Sequence, residues 1–105
     1  MLRIAENTNT KRAELRDTDY RYVVSNANPL ELILINVSNV TVGTEKQINY
    51  AKSLLHDKLI KVNRTTGLMI SNGAMDKATY IAGMESLVKE LESYNDAKFI
   101  IERVR

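Results

Sequence analysis

The chain has no cysteine or tryptophan, and its 105 residues include a single histidine, a single proline and four glycines. Without cysteine there are no disulfides, thiolate metal ligands or cysteine nucleophiles, which agrees with a cytosolic protein. The longest apolar run, residues 32–35, is far shorter than the roughly 20 residues that cross a bilayer. Residues 1–20 are polar and lack the apolar stretch of a secretory signal. We therefore expect a cytoplasmic protein that does not associate with membranes.

Residues that commonly carry catalysis are few and scattered. His56 falls in the middle of a predicted helix, beside Asp57, and matches no ligand or triad spacing, so we interpret it as a solvated helix residue. Asp17 and Asp19 are the one candidate pair for a magnesium-dependent enzyme, although a charged turn before a strand explains them better. The glycines have neither P-loop nor dinucleotide-fold spacing. The prediction is a protein that is not an enzyme and has no cofactor or metal.

Length and composition predict one domain that covers residues 1–105. Hydrophobic residues make up 44% of the chain and charged residues 27%, which is typical of a globular protein with one core. Residues 1–42 are rich in strand patterns, and residues 43–105 have helical periodicity. We predict an α+β fold in which a small antiparallel sheet from the N-terminal half packs against two long helices and one short C-terminal helix.

The first 42 residues contain a predicted hairpin. Residues 20–24 alternate tyrosine and valine with other side chains, residues 26–29 have turn composition, and residues 30–37 are rich in aliphatic residues. The apolar alternation then changes phase, which predicts a bulge or sharp bend near residues 38–39. Leu2 and Ile4 indicate a short additional strand at the start.

The first helix is predicted from its N-terminal signal. Thr44-Glu45-Lys46-Gln47 fits a capping box, in which threonine and glutamine side chains bond each other's backbone amides. The expected core stripe of this helix is Ile48, Ala51, Leu55, Leu59 and Val62. Residues 64–74, which include Gly67 and Asn72-Gly73, are predicted to be a connection. Leu54 and Ile60 fall outside the stripe, so they are candidates for a symmetric homodimer contact, with a strand edge as the alternative.

Two further helices are predicted. The second starts at the cap Asp76 and ends near Ser93. Its expected core face is Tyr80, Ile81, Met84, Leu87, Val88 and Leu91. The third is capped by Asn95, and its expected core face is Ala97, Ile100, Ile101 and Val104. A helix-turn-helix motif is disfavoured because the predicted connection, residues 64–74, exceeds the three or four residues that this motif uses.

The net charge of +2 is unevenly distributed along the chain. Residues 43–64 contain five basic and two acidic residues, whereas the segments before and after are close to neutral. The five basic residues are candidate contacts for a partner or a nucleic acid: Lys46, Lys52, Lys58, Lys61 and Arg64. Three are expected on one side of the helix, while Lys52 and Lys58 flank the buried stripe, where long side chains reach outward. Ordinary solvation is the competing interpretation.

Two short segments carry a family resemblance. They are Thr44-Glu45-Lys46-Gln47-Ile48-Asn49-Tyr50-Ala51 and the closing Asn95-Asp96-Ala97-Lys98-Phe99-Ile100-Ile101-Glu102. The chain resembles small proteins of phages and mobile elements that carry a Thr/Ser-Glu-Lys-Gln helix start and end in an Asp-Ala-Lys-aromatic helix. The resemblance covers residues 43–105. It implies an origin but no site, because the family has no assigned activity.

A phage protein of this size without catalytic residues is expected to act on host machinery. The leading prediction is a non-catalytic inhibitor or modulator of a host defence complex, like an anti-CRISPR protein, which binds a host protein or ribonucleoprotein in the host cytosol. The sequence pI of about 8.9 differs from that of acidic DNA mimics, so docking on an acidic or apolar surface is expected. The alternative is a small nucleic-acid-binding accessory protein that uses the basic helix, residues 45–64.

Overall fold

The structure is a computed structural model that describes residues 2–4 and 18–104. Within these residues the chain forms a three-stranded antiparallel sheet and three helices. The strands are β1 (Leu2–Ile4), β2 (Tyr20–Val24) and β3 (Glu31–Asn36). The helices are α1 (Glu45–Ser71), α2 (Lys77–Glu92) and α3 (Ala97–Arg103). This confirms the predicted α+β class, with a small N-terminal sheet, two long helices and one short C-terminal helix.

The sheet has the strand order β1-β3-β2, so β3 lies in the middle. The predicted hairpin is confirmed, because β2 and β3 pair antiparallel from Val24↔Leu32 to Tyr20↔Asn36. The predicted strand at the start is also confirmed. It is β1, which pairs antiparallel with β3 and has Leu2 opposite Ile33. Both edges of the central strand are therefore paired over the first half of β3.

The central strand is buried on both faces. Ile33 and Ile35 belong to the main core, which lies between the sheet and the helices. Leu32 and Leu34 point to the opposite face, where the β2 side chains Tyr20, Tyr22 and Val24 pack around them. Each of the four aliphatic β3 side chains has 2% or less of its surface exposed. Burial of a side chain of this size stabilises the fold by about 1.5–3 kcal/mol, so the four buried side chains of β3 contribute strongly to the stability of the fold.

The bend predicted near residues 38–39 is confirmed. Val37 and Val40 are both buried, while Ser38 and Asn39 between them are exposed. The backbone N–H of Val40 donates to the carbonyl oxygen of Val37 at 3.3 Å, which closes a turn at this position. The change of phase in the apolar pattern therefore marks the point where the chain leaves the sheet.

Helix α1 begins as predicted but ends later. The Thr44 backbone N–H donates to Gln47 Oε1, and the Gln47 N–H donates to Thr44 Oγ1, so the capping box is complete. The prediction that residues 64–74 form a connection is wrong, because α1 continues to Ser71. The hydroxyl groups of this polar segment find partners within the helix: the side chains of Thr65 and Thr66 donate to carbonyl oxygens one turn earlier.

The true end of α1 is the Asn72-Gly73 pair. Gly73 has φ of +74°, a left-handed conformation that favours glycine after a helix. The Ala74 N–H donates to the Met69 carbonyl at 2.8 Å and the Gly73 N–H donates to that of Ile70 at 3.1 Å, the two bonds of a Schellman motif. The connection to α2 is thus only residues 72–76. The connection is much shorter than predicted, but its five residues still exceed the three or four that a helix-turn-helix motif uses.

The remaining helices follow the predicted caps with one correction. Asp76 caps α2, and its carboxylate accepts from the Thr79 N–H at 2.7 Å. The cap of α3 is Asp96 and the prediction of Asn95 was wrong, because the Asn95 carbonyl oxygen is held by the backbone of residues 41–42. The predicted core faces are largely confirmed: Tyr80, Met84, Val88, Leu91, Ala97, Ile100 and Val104 are buried, and Ile81, Leu87 and Ile101 are partly buried.

Candidate interaction surface on helix α1

The outward side of α1 carries a continuous row of exposed side chains. Residues three or four positions apart share one side of a helix. The exposed residues that recur at this spacing are Lys46, Tyr50, Ser53, Asp57, Lys61, Arg64 and Leu68. We call this row the α1 stripe. With a rise of 1.5 Å per residue, it extends over roughly 33 Å.

The α1 stripe faces outward because the opposite side of the helix is committed to the core. Ala51, Leu55 and Leu59 are fully buried there. Leu54 is only 8% exposed, and Ile60 is partly buried against the same core. The predicted homodimer contact through Leu54 and Ile60 is therefore wrong, since both side chains are engaged by the chain's own core.

Side chains of α1 hold the helix against the hairpin. His56 Nε2 lies 3.0 Å from the carbonyl oxygen of Tyr22, and Asn63 Nδ2 donates to the carbonyl oxygen of Val24 at 3.1 Å. His56 is partly buried, so its interpretation as a solvated residue was wrong: it bridges α1 to β2. These contacts fix the orientation of the α1 stripe relative to the sheet.

A polar junction surrounds Asn63 and was not predicted from the sequence. The Tyr80 hydroxyl donates to Asn63 Oδ1 at 2.6 Å, and Asn26 Nδ2 donates to the same oxygen at 3.0 Å. The Asn26 backbone N–H in turn donates to the Tyr80 hydroxyl at 2.9 Å. A Cβ atom at Gly67 would lie 2.8 Å from Asn26 Nδ2, so glycine permits this approach. Gly67 was assigned to the predicted connection, whereas a glycine inside a helix is the signal that could have indicated this contact.

The structure divides the predicted basic contacts into two groups. Lys46, Lys61 and Arg64 belong to the α1 stripe, and Lys58 is partly exposed next to it. The side-chain cations of these four residues make no ion pair within residues 2–4 and 18–104. Lys46 lies about 22 Å along the helix from Lys61, so the compact basic cluster consists of Lys58, Lys61 and Arg64.

Lys52 lies on another side of α1 and contacts the start of β2. Its Nζ is 3.0 Å from Asp19 Oδ1, and it is only partly exposed. A solvent-accessible pair of this kind stabilises a fold by at most about 1 kcal/mol. Asp17, the other member of the candidate magnesium pair, lies outside the described residues. The carboxylate of Asp19 therefore has a structural partner, and Lys52 is not part of the basic cluster.

Large apolar side chains are exposed at both ends of the α1 stripe. Tyr50 is 47% exposed near the N-terminal end, and Leu68 is 62% exposed near the C-terminal end. Exposed apolar groups among polar ones are typical of interaction surfaces. Phe99 is exposed on α3, where its ring lies 5.3 Å from that of Tyr94. We call Tyr50 and Leu68 the apolar ends of the α1 stripe; charged residues lie between them, and Lys46 lies one turn beyond Tyr50.

Other chemical features are sparse in the described part of the chain. Its histidine, aspartate and glutamate side chains form no group of three that could hold a metal ion. None of its helices is long and apolar enough to cross a membrane. Comparison of the sequence and structure with models of protein families, with curated proteins and with solved structures gave no significant match. The resemblance to phage and mobile-element proteins therefore stays a prediction, and function is argued from the surface.

Proposed function

We propose that this chain is a non-catalytic phage or mobile-element protein that binds a host defence complex and inhibits or modulates it. The observation that supports this proposal is the α1 stripe, an exposed row with an aromatic residue, an arginine and apolar ends. Aromatic residues and arginine are enriched in protein interfaces and among the residues that dominate binding energy. Tyr50 and Arg64 are the residues expected to contribute most, and Leu68 adds exposed apolar surface.

The attachment of α1 to the sheet favours binding through this row. His56 and Asn63 tie the helix to the β2 backbone, and Leu55 and Leu59 are buried beneath it. A surface that is already ordered loses less conformational entropy when it binds a partner. A helix held in this way presents its side chains at fixed spacing.

The charge of the α1 stripe indicates the chemistry of the partner. Lys46, Lys61 and Arg64 are cationic, and Asp57 is the single anion between them. A surface with this excess is attracted to acidic protein surfaces and to the phosphates of a ribonucleoprotein. The proposed partner is thus a host protein or ribonucleoprotein with an acidic, partly apolar docking site. No cofactor takes part in the proposed function.

The test combines capture of a partner with inhibition of its activity. The tagged chain is incubated with lysate of bacteria that carry a defence nuclease, and then with the purified nuclease complex in a DNA-cleavage assay. We expect stoichiometric recovery of the complex and loss of cleavage with increasing chain. The double variant Lys61→Glu/Arg64→Glu is expected to lose both effects.

The matched control changes the same number of charges outside the stripe. Lys77 and Lys89 are exposed on α2, so Lys77→Glu/Lys89→Glu is expected to bind and inhibit like the unmodified chain. Recovery of no stoichiometric protein or ribonucleoprotein would count against the proposal. Equal loss in both double variants would show that net charge, and not the α1 stripe, is responsible.

A second proposed function is that of a nucleic-acid-binding accessory protein. The observation that favours it is the basic cluster of Lys58, Lys61 and Arg64, which has no ion-pair partner in the described part of the chain. Three phosphate contacts predict that log K falls with log salt concentration at a slope of about −3 for duplex DNA. Replacement of Lys58, Lys61 and Arg64 by alanine is expected to weaken binding and flatten that slope. Unchanged affinity after this replacement would remove the second function.

A further inference from the structure

The sequence of the α1 stripe is complementary to itself when one copy is reversed. Tyr50 and Leu68 are its exposed apolar ends, and Asp57 and Lys61 form its charged centre. In a twofold contact, residue i of one copy meets residue j of the other, and j meets i. Antiparallel alignment of Tyr50 with Leu68 of a second copy also aligns Asp57 with Lys61 of that copy, because both pairs are centred on the level of Leu59.

The same alignment places the other members of the stripe opposite suitable groups. Ser53 lies within one residue of the level of Arg64 in the second copy, where its hydroxyl accepts from the guanidinium. Lys46 lies opposite Asn72, at the C-terminal end of the other α1. That end carries partial negative charge, and the last turn of α1 has no basic residue of its own. No two like charges of the stripe are directly opposite in this alignment.

We infer that the α1 stripe is a self-association surface, on which a second copy of this chain packs its own α1 antiparallel around a twofold axis at the level of Leu59. Two Tyr50 to Leu68 contacts bury the exposed apolar ends, and two Asp57 to Lys61 pairs fix the register. The contact contains only two apolar pairs, and its charged pairs are exposed to solvent, where each contributes at most about 1 kcal/mol, so the dimer is weak and reversible.

This inference does not depend on the proposed function. A second copy and a host partner use the same face of α1, so each excludes the other. The dimer is the form of the chain at high concentration without a partner, and partner binding separates the two copies. The two proposals therefore succeed or fail in different experiments.

The first experiment is a charge exchange followed by sedimentation equilibrium over a range of concentrations. The unmodified chain is expected to approach twice the monomer mass as concentration rises. Asp57→Lys and Lys61→Asp each replace two attractive pairs by two repulsive ones, so each is expected to weaken association at least about tenfold. A mixture of the two variants is expected to associate again, because every cross pair between them is attractive.

The matched control uses the outward pair Glu85 and Lys89 on α2, which has the same spacing of four residues. Glu85→Lys and Lys89→Asp are expected to leave the dissociation constant unchanged. A chain that stays monomeric at every accessible concentration overturns the inference. So do single-charge variants that associate as well as the unmodified chain, or a mixture that associates no better than its components.

The second experiment reads the register by disulfide formation, which is clean in a chain without cysteine. In the proposed alignment the two copies of residue 50 are about 27 Å apart along the axis, far beyond disulfide reach. Tyr50→Cys and Leu68→Cys variants are therefore expected to cross-link when mixed and not when oxidised separately. Equal cross-linking of either variant alone contradicts the register. A monomer that binds an acidic peptide or an oligonucleotide through the stripe contradicts self-association and supports a heterologous partner.

Discussion

The two parts of helix α1 are held in place by different forces. Residues 45–62 are held by burial, with Ala51, Leu55 and Leu59 packed into the core between helix and sheet. The described structure has no fully buried side chain in residues 63–71, where Ile70 is only partly buried against the core. Hydrogen bonds at Asn63 hold this part: its Nδ2 donates to the hairpin, and its Oδ1 accepts from the Tyr80 hydroxyl. Apolar periodicity therefore predicted the first part and missed the second. The difference teaches that a long helix can extend beyond its apolar stripe when side-chain hydrogen bonds attach it to the fold.

The largest expected effect is in the buried part. Leu55→Ala removes a fully buried side chain from the core, and the cavity adds to the lost transfer free energy. We expect the free energy of unfolding to fall by about 2–5 kcal/mol in urea denaturation. The matched control is Leu68→Ala, a truncation of the same size at an exposed site, with an expected change within about 0.5 kcal/mol. Similar losses of unfolding free energy in the two variants would contradict the proposed difference between the two parts of α1.

The second prediction concerns the hydrogen-bonded part. Asn63→Ala leaves the Tyr80 hydroxyl and the Val24 carbonyl oxygen without this partner, so a loss of about 1–3 kcal/mol is expected. Tyr80→Phe removes the other side of the junction. Because both residues act in one network, the double variant is expected to lose less than the sum of the single losses. Additive losses in the urea unfolding of this double-mutant cycle would show that the junction is not a unit.

The third prediction compares two glycines inside helices. A Cβ atom at Gly83 meets nothing within 4 Å, so Gly83→Ala is expected to stabilise the chain by about 0.5–1 kcal/mol through higher helix propensity. The same change at Gly67 places a Cβ atom 2.8 Å from Asn26 Nδ2, which is tied to Asn63. Gly67→Ala is therefore expected to destabilise. Thermal unfolding of both variants measures the sign, and stabilisation of equal size at Gly67 would mean that the junction is loose.

The smallest effect concerns the caps of the two long helices. Hydrogen bonding by Thr79, from its side chain and then from its backbone N–H, lowers the pKa of Asp76 below its ordinary value. A carboxylate whose pKa is lower in the folded state than in the unfolded state stabilises the fold at pH values above its unfolded pKa. This stabilisation is lost as the pH falls through the folded pKa, which is below about 4. The amide hydrogens at the start of α2 are thus expected to lose protection, measured relative to the intrinsic exchange rate at each pH, as the pH falls below about 4. In Asp76→Asn the acid dependence that comes from this cap should disappear, whereas Thr44, the neutral cap of α1, contributes none of its own.

Local signals predicted much of the fold. Three predicted features depend on residues that are close together in the chain, and all three are confirmed. They are the capping box at Thr44, the cap at Asp76 and the hairpin of β2 and β3. The end of α1 was missed because its attachment joins Asn26 to Asn63, 37 residues apart. No local pattern reports such a contact, although Gly67 marked where it occurs.

The candidate surface was predicted in part for the same reason. Helical spacing placed Lys46, Lys61 and Arg64 on one exposed side, and the structure confirms this exposure. The separation of Lys52 from the basic cluster follows from its contact with Asp19, 33 residues earlier, which spacing within α1 does not show. The apolar ends of the stripe were not recognised either, because exposure of Leu68 follows only from the extension of α1 to Ser71.

Hydroxyl-radical footprinting tests most directly whether the α1 stripe is the binding surface of this chain. Tyr50 and Leu68 are exposed reporters within the stripe, while Leu30 and Phe99 are exposed apolar residues outside it. We predict that Tyr50 and Leu68 lose reactivity in the captured complex and, in the free chain, as concentration rises. Leu30 and Phe99 should keep theirs. Protection of Leu30 or Phe99 with full reactivity at Tyr50 and Leu68 would contradict the assignment of binding to α1.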